Sequence, residues 1–187
     1  DLGIGFTCMD HNIKELPIVH EFATSQGMEF SVTMATSSPI TFGENKHLFR
    51  PQNHNLFAKT LNRVINKRFQ TINPKEWIRG WFESKLIEYH KTGIRNLTCD
   101  AGDGFFYLDS LGNIFTCHVK NWYLGNIRKT SFEKIWGSTR SQQERQKPKT
   151  CNDCWMVCTI KSSMKKKGVR VISETAKLGI SSKMHLG

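Results

Sequence analysis

The spacing of apolar and polar positions changes several times along the chain, and each change predicts an element. Residues 1–9, DLGIGFTCM, have the β-branched and aromatic content of a buried strand. Asp10 or Asn12 is placed to cap a following helix, Glu15 three residues after Asn12 would complete a capping box, and Gly27 is a natural residue for the helix end. MEFSVTMATSS, residues 28–38, predicts a second strand, so residues 1–38 spell strand, helix, strand. A connection of this length makes a right-handed crossover between parallel strands. Two such strands cannot bury both faces alone, which predicts neighbouring strands that are absent from this chain or supplied by another.

Residues 39–53 read as a loop, with Pro39, Gly43, Pro51 and several Asn. A period near 3.6 then sets in: Phe57, Leu61, Val64, Ile65 and Arg68 share one helical face. A second helix is predicted with Asn73 as cap, Pro74 in the first turn, Glu76 closing the box, a stripe of Ile78, Phe82, Leu86 and Tyr89, and Gly93 at its end. Trp77 and Trp81, one turn apart, are expected in a core or interface. FFYLDSLGNIFTCHV, residues 105–119, alternates as a hairpin around Ser-Leu-Gly-Asn, where Gly112 would supply a positive φ. LGNI at 124–127 predicts a turn, SFEKIW a short helix capped by Ser131 or Thr130, and the residues through Pro148 a polar loop. The predicted fold class is α/β followed by α+β: a strand-helix-strand piece over 1–52, linking helices over 53–95, a hairpin with a cysteine-rich unit over 96–170, and a basic tail over 171–187.

Composition narrows this picture. The 187 residues are 38% hydrophobic and 11% aromatic, which is globular. No apolar run approaches the ~20 residues that span a bilayer, and the first residues lack the features of a signal peptide, so a cytoplasmic location is expected. The chain opens without Met and directly on strand-like residues, which is expected of a fragment. Its net charge of +11 is unevenly placed: residues 1–117 carry 12 Lys+Arg against 12 Asp+Glu, and 118–187 carry 15 against 4. A solvated basic face explains this better than nucleic-acid binding, because the KKK run at 165–167 has no interleaved aromatics on which bases could stack.

The cysteines carry the chemistry. Cys99, Cys117, Cys151, Cys154 and Cys158 are five of the six, and Cys151-x2-Cys154 is a knuckle that presents two sulfurs to one metal. Two distant cysteines would complete four ligands, whereas a disulfide framework does not suit a chain without a secretory segment. Zinc ribbons pair two knuckles and this chain has one, so a surplus fifth thiol favours an iron–sulfur cluster, with a zinc-binding interaction module on a basic surface as the alternative. His118, beside Cys117, could be a ligand in that alternative. Cys8, alone in a strand, reads as a buried apolar side chain.

Read as Cys99, twelve residues, Gly112, four residues, Cys117, then LGNI, SFEKIW and Cys151/Cys154/Cys158, the second half resembles the SPASM/twitch auxiliary-cluster domain of radical S-adenosylmethionine enzymes. Residues 1–38 are similar to the last units of the partial (β/α) barrel that precedes this domain. The resemblance implies an auxiliary 4Fe-4S cluster on Cys99, Cys117, Cys151 and Cys154, with Cys158 a spare, a swap ligand or a structural thiol. Backbone N–H groups around Gly112 and the knuckle, and burial beside Phe105, Phe106 and Trp155, would tune the potential of such a cluster. S-adenosylmethionine and a second 4Fe-4S cluster would belong only to a missing N-terminal part, because no CxxxCxxC motif occurs here. That barrel half or subunit is the expected partner. The family's substrates range from peptides to sugars and small metabolites, and residues around Ser37, Ser38 and Thr41 would face them, since barrel sites sit at the C-terminal ends of strands.

Overall fold

A computed structural model describes residues 2–36, 38 and 51–184. They form two compact units: residues 2–35, 51–94 and 167–184 make the first, and residues 36, 38 and 95–166 the second.

In the first unit, β1 (Gly3–Cys8) pairs in parallel with β2 (Glu29–Met34), Phe6 opposite Val32 and Cys8 opposite Met34. Alternate side chains leave opposite faces of a strand, so Phe6, Cys8, Phe30, Val32 and Met34 are buried together. The crossover is α1 (Leu16–Ser25), entered by a 3-10 turn at Ile13–Glu15 and followed by Gly27 at φ +67°. The predicted capping box does not form. Asn12 Oδ1 instead accepts the Met9 amide at 2.8 Å and its Nδ2 donates to the Thr7 carbonyl at 3.0 Å, closing the turn out of β1. This is the local side-chain bonding that makes Asn a turn residue.

Helix α2 (His54–Gln70) is capped by Asn53, whose Oδ1 accepts from the Leu56 amide at 2.9 Å, and buries the predicted stripe from Phe57 to Arg68 together with Phe69. Helix α3 (Pro74–Thr92) starts at Asn73 as predicted and stops at Gly93, φ +69°. Glu76 closes no box, because its carboxylate pairs with Arg68 and Arg79. Trp81 is fully buried and donates from Nε1 to Glu174 at 2.9 Å, while Trp77 is partly exposed and donates to the Thr71 carbonyl at 2.7 Å. Residues 168–184, within and just ahead of the stretch expected as a basic tail, form a further helix that packs on α2 and α3. Val171, Thr175 and Gly179 are buried on one side of it, a helical spacing in which a small, a polar and an apolar residue alternate.

The second unit is built on a three-stranded antiparallel sheet, β3 (Tyr107–Leu108), β4 (Asn113–Phe115) and β5 (Tyr123–Asn126), in that order. The predicted hairpin is present with Gly112 at φ +84°, and Asp109 organises its turn by accepting from the amides of Leu111 and Asn113 at 2.9 and 2.8 Å. The LGNI stretch, predicted as a turn, supplies most of β5 instead. Ile114, Leu124 and Ile135 form a small core with Phe132 and Trp136 against it. A Cβ at Gly125 would sit 2.8 Å from Ile135 Cγ2, so glycine lets α4 (Phe132–Gly137) lie on β5. Ser131 holds the cap position of α4 without a side-chain bond to it. Within the expected polar loop, Ser138 caps a short helix α5 (Thr139–Glu144), accepting the Ser141 amide at 3.2 Å. Helix α6 (Val157–Lys166) follows the knuckle, and the helix of residues 168–184 is α7.

The architecture is thus mixed α/β, with seven α-helices and two small sheets among the described residues and no closed barrel. No helix among them is long and apolar enough to cross a membrane.

Candidate metal centre

Three segments of the second unit bring four of the cysteines to their places. Cys99 lies on the run from Arg95 into a tight turn, in which the amides of Asp103 and Gly104 donate to the Asp100 carbonyl at 3.2 and 2.8 Å. Asp100 ties this turn to α6 by accepting from Ser162 and pairing with Lys166. Cys117 follows β4 by two residues. Cys151 and Cys154 follow a 3-10 turn at Lys147–Thr150, with Cys151 as its C-terminal cap.

All six cysteines are free thiols. Cys99, Cys117 and Cys154 share one buried core with Ala101 and Val119, and Phe105 and Met156 pack against it; Cys151 is half-buried. The thiols feel one another: charge on Cys99 raises the Cys117 pKa, and charge on Cys99 and Cys117 raises those of Cys151 and Cys154. Burial is the first cause of each shift and pushes Cys154 up to about 11. Thiolates in this setting need compensating positive charge, which bound iron supplies. Against burial, backbone hydrogen bonding from Val119 and Lys120 lowers the Cys117 pKa, and that from Asp153 lowers the Cys151 pKa. Such donors are what thiolate-held clusters use to tune their potential. The donor set therefore fits an iron–sulfur cluster. Among the described residues no three His, Cys, Asp or Glu side chains are gathered as the ligands of a single ion.

Cys158 stands apart. It is exposed in the first turn of α6, its Sγ 3.5 Å from His118 Nε2, and it is not a member of the buried cysteine core. The His118 pKa is lowered by burial. Of the aromatic residues expected near the cysteines, Phe105 is there and Trp155 is buried beside Arg95, but Phe106, itself exposed, packs instead against the half-buried Phe132 and Trp136. Ser38 is buried, and its hydroxyl donates to the His118 carbonyl at 2.9 Å; Ser37 and Thr41 lie outside the described residues. Cys8 is buried in the first unit, its pKa raised to about 12 by burial and the charge of Glu83.

One neighbour of the cysteines escaped the sequence reading. Arg95 is buried, its Nη1 donating to the Cys154 carbonyl at 2.8 Å and lying 3.5 Å from Cys154 Sγ. Its position four residues before Cys99 was the available signal.

Three buried free thiols, with the half-buried Cys151 on the same knuckle as one of them, make this a cysteine-rich unit. Residues 99–155 match the family model of SPASM, an iron–sulfur cluster-binding domain, and this stretch contains Cys99, Cys117, Cys151 and Cys154. The match covers less than half of the chain and is consistent with a SPASM-type domain of a radical S-adenosylmethionine protein, a domain type that implies iron–sulfur cluster binding. No curated protein and no solved structure matches the chain.

Proposed function

We propose that the second unit holds an auxiliary 4Fe-4S cluster on Cys99, Cys117, Cys151 and Cys154 and serves a radical S-adenosylmethionine enzyme. The observation that carries the proposal is the buried core shared by Cys99, Cys117 and Cys154 inside the matched segment, which also contains the half-buried Cys151. When bound, the cluster supplies one-electron transfer. The chain's own residues exclude water with Phe105, Val119 and Met156, orient the sulfurs through the knuckle and the Asp100 turn, and stabilise thiolate charge with backbone N–H groups. Full ligation by four cysteines leaves no iron open to substrate, which favours electron relay or support of the domain over direct substrate binding. With no CxxxCxxC motif in this sequence, S-adenosylmethionine and the radical-generating cluster are assigned to a partner barrel half.

The test is anaerobic reconstitution followed by iron, sulfide and zinc analysis. About four irons and four sulfides per chain are expected. One zinc per chain and no iron would overturn the proposal in favour of a zinc module.

A further inference from the structure

We infer that Arg95 is the counter-charge of the four-cysteine site and raises the reduction potential of the cluster held there, an inference that rests on the function proposed above. Arg68 and Arg95 are the buried arginines among the described residues. Arg68, in the first unit, has carboxylates: Glu83 accepts from its Nε and Nη2 at 2.8 and 2.7 Å, and Glu76 pairs with Nη1. Arg95, 8% exposed, has no carboxylate within ion-pair reach among the described residues. Its Nε donates to the Leu97 carbonyl at 3.1 Å, and Nη1 reaches the Cys154 carbonyl, Cys154 Sγ and, at 3.5 Å, Thr159 Oγ1. The guanidinium lies over the Trp155 ring, 5.9 Å from its centroid. Its Nη2 is buried with no hydrogen-bond partner.

The nearby acids are otherwise engaged, Asp100 with Lys166 and Ser162, Asp153 with Lys120. An arginine cannot shed its proton, and a buried charge without a counter-charge is costly. The compensating anion is then the site of Cys154, whose sulfur Arg95 touches. Four thiolates around an oxidised 4Fe-4S core carry a net charge of about −2, and one added electron makes it about −3. A fixed positive charge and a spare N–H donor favour the more negative state, and so make the cluster easier to reduce.

The test compares wild type, Arg95→Gln and Arg95→Lys, each reconstituted anaerobically and titrated with dithionite against redox mediators while the electron paramagnetic resonance of the reduced cluster is followed. Arg95→Gln should shift the potential negative by at least a tenfold change in the reduction equilibrium, 59 mV for one electron, and Arg95→Lys should remain closer to wild type. An unchanged potential in Arg95→Gln, or a lysine variant shifted as far as the glutamine one, overturns the inference. Should Arg95→Gln hold no iron, retention of iron by Arg95→Lys supports a charge requirement, and loss in both variants overturns it. A wild-type chain with zinc and no iron–sulfur cluster would instead overturn the function proposed above, which separates the two failures.

Discussion

Replacing His20 by leucine should remove an acid sensitivity built into the first unit. His20 lies on α1, 3% exposed, its ring edge-on to Phe30 with centroids 5.1 Å apart and neither ring nitrogen hydrogen-bonded among the described residues. Burial, and then the charge of Arg68, lower its pKa from 6.5 to about 4, with Lys67 acting the same way and Glu76 and Glu21 against. The folded state resists a proton that the unfolded chain takes up readily. The stability tied to His20 is therefore complete above about pH 6.5 and is lost as the pH falls from there toward 4. Linkage between these two values gives a loss of about 0.8 kcal/mol at pH 6 and about 2 kcal/mol at pH 5. Urea denaturation at pH 7.5, 6 and 5, read by hydrogen exchange of the β2 amides, measures it. The difference between wild type and His20→Leu should change with pH by these amounts. Parallel pH profiles for the two proteins would refute the reasoning.

Two further perturbations probe the supports of each unit. Glu83→Leu leaves the buried Arg68 with Glu76 and the Phe30 carbonyl as partners, and should destabilise the first unit by roughly 3–5 kcal/mol in urea denaturation, whereas Arg68→Met/Glu83→Leu should recover most of the loss. Gly104→Ala puts a methyl group where the Asp100 carboxylate and the Ser162 hydroxyl meet, and should cost about 1.5–3 kcal/mol through the lost charged hydrogen bond; a thermal midpoint equal to wild type would contradict it.

The strand-helix-strand unit and the helices α2 and α3 were legible because their apolar spacing and caps agree: Phe57 to Arg68 on one face, Asn73 at a start, Gly93 at an end. Where a side chain had two uses, the sequence could not choose. Asn12 closes a turn instead of a helix end, and Glu76 answers a buried arginine instead of its own cap, because tertiary partners outweigh a local bond. Helix α7 was hidden because its inward face carries Thr175 and Gly179, small residues that admit Trp77 and Phe69 rather than announcing a core. β5 was hidden because its Leu124-Gly125-Asn126 looks like a turn until Ile135 is seen to need the space above Gly125. At the candidate site, the cysteine spacing pointed to the thiols, but only the tertiary packing separates Phe105, against the cysteines, from Phe106, against Phe132 and Trp136. Arg95 offered only its place four residues before Cys99, since its role depends on having no carboxylate within ion-pair reach.

Iron content of five single variants, Cys99→Ser, Cys117→Ser, Cys151→Ser, Cys154→Ser and Cys158→Ser, after anaerobic reconstitution tests the assigned ligand set most directly. The account predicts that Cys158→Ser retains about four irons and that each of the other four loses the intact cluster. A cluster lost in Cys158→Ser but kept in one of the other four would contradict it.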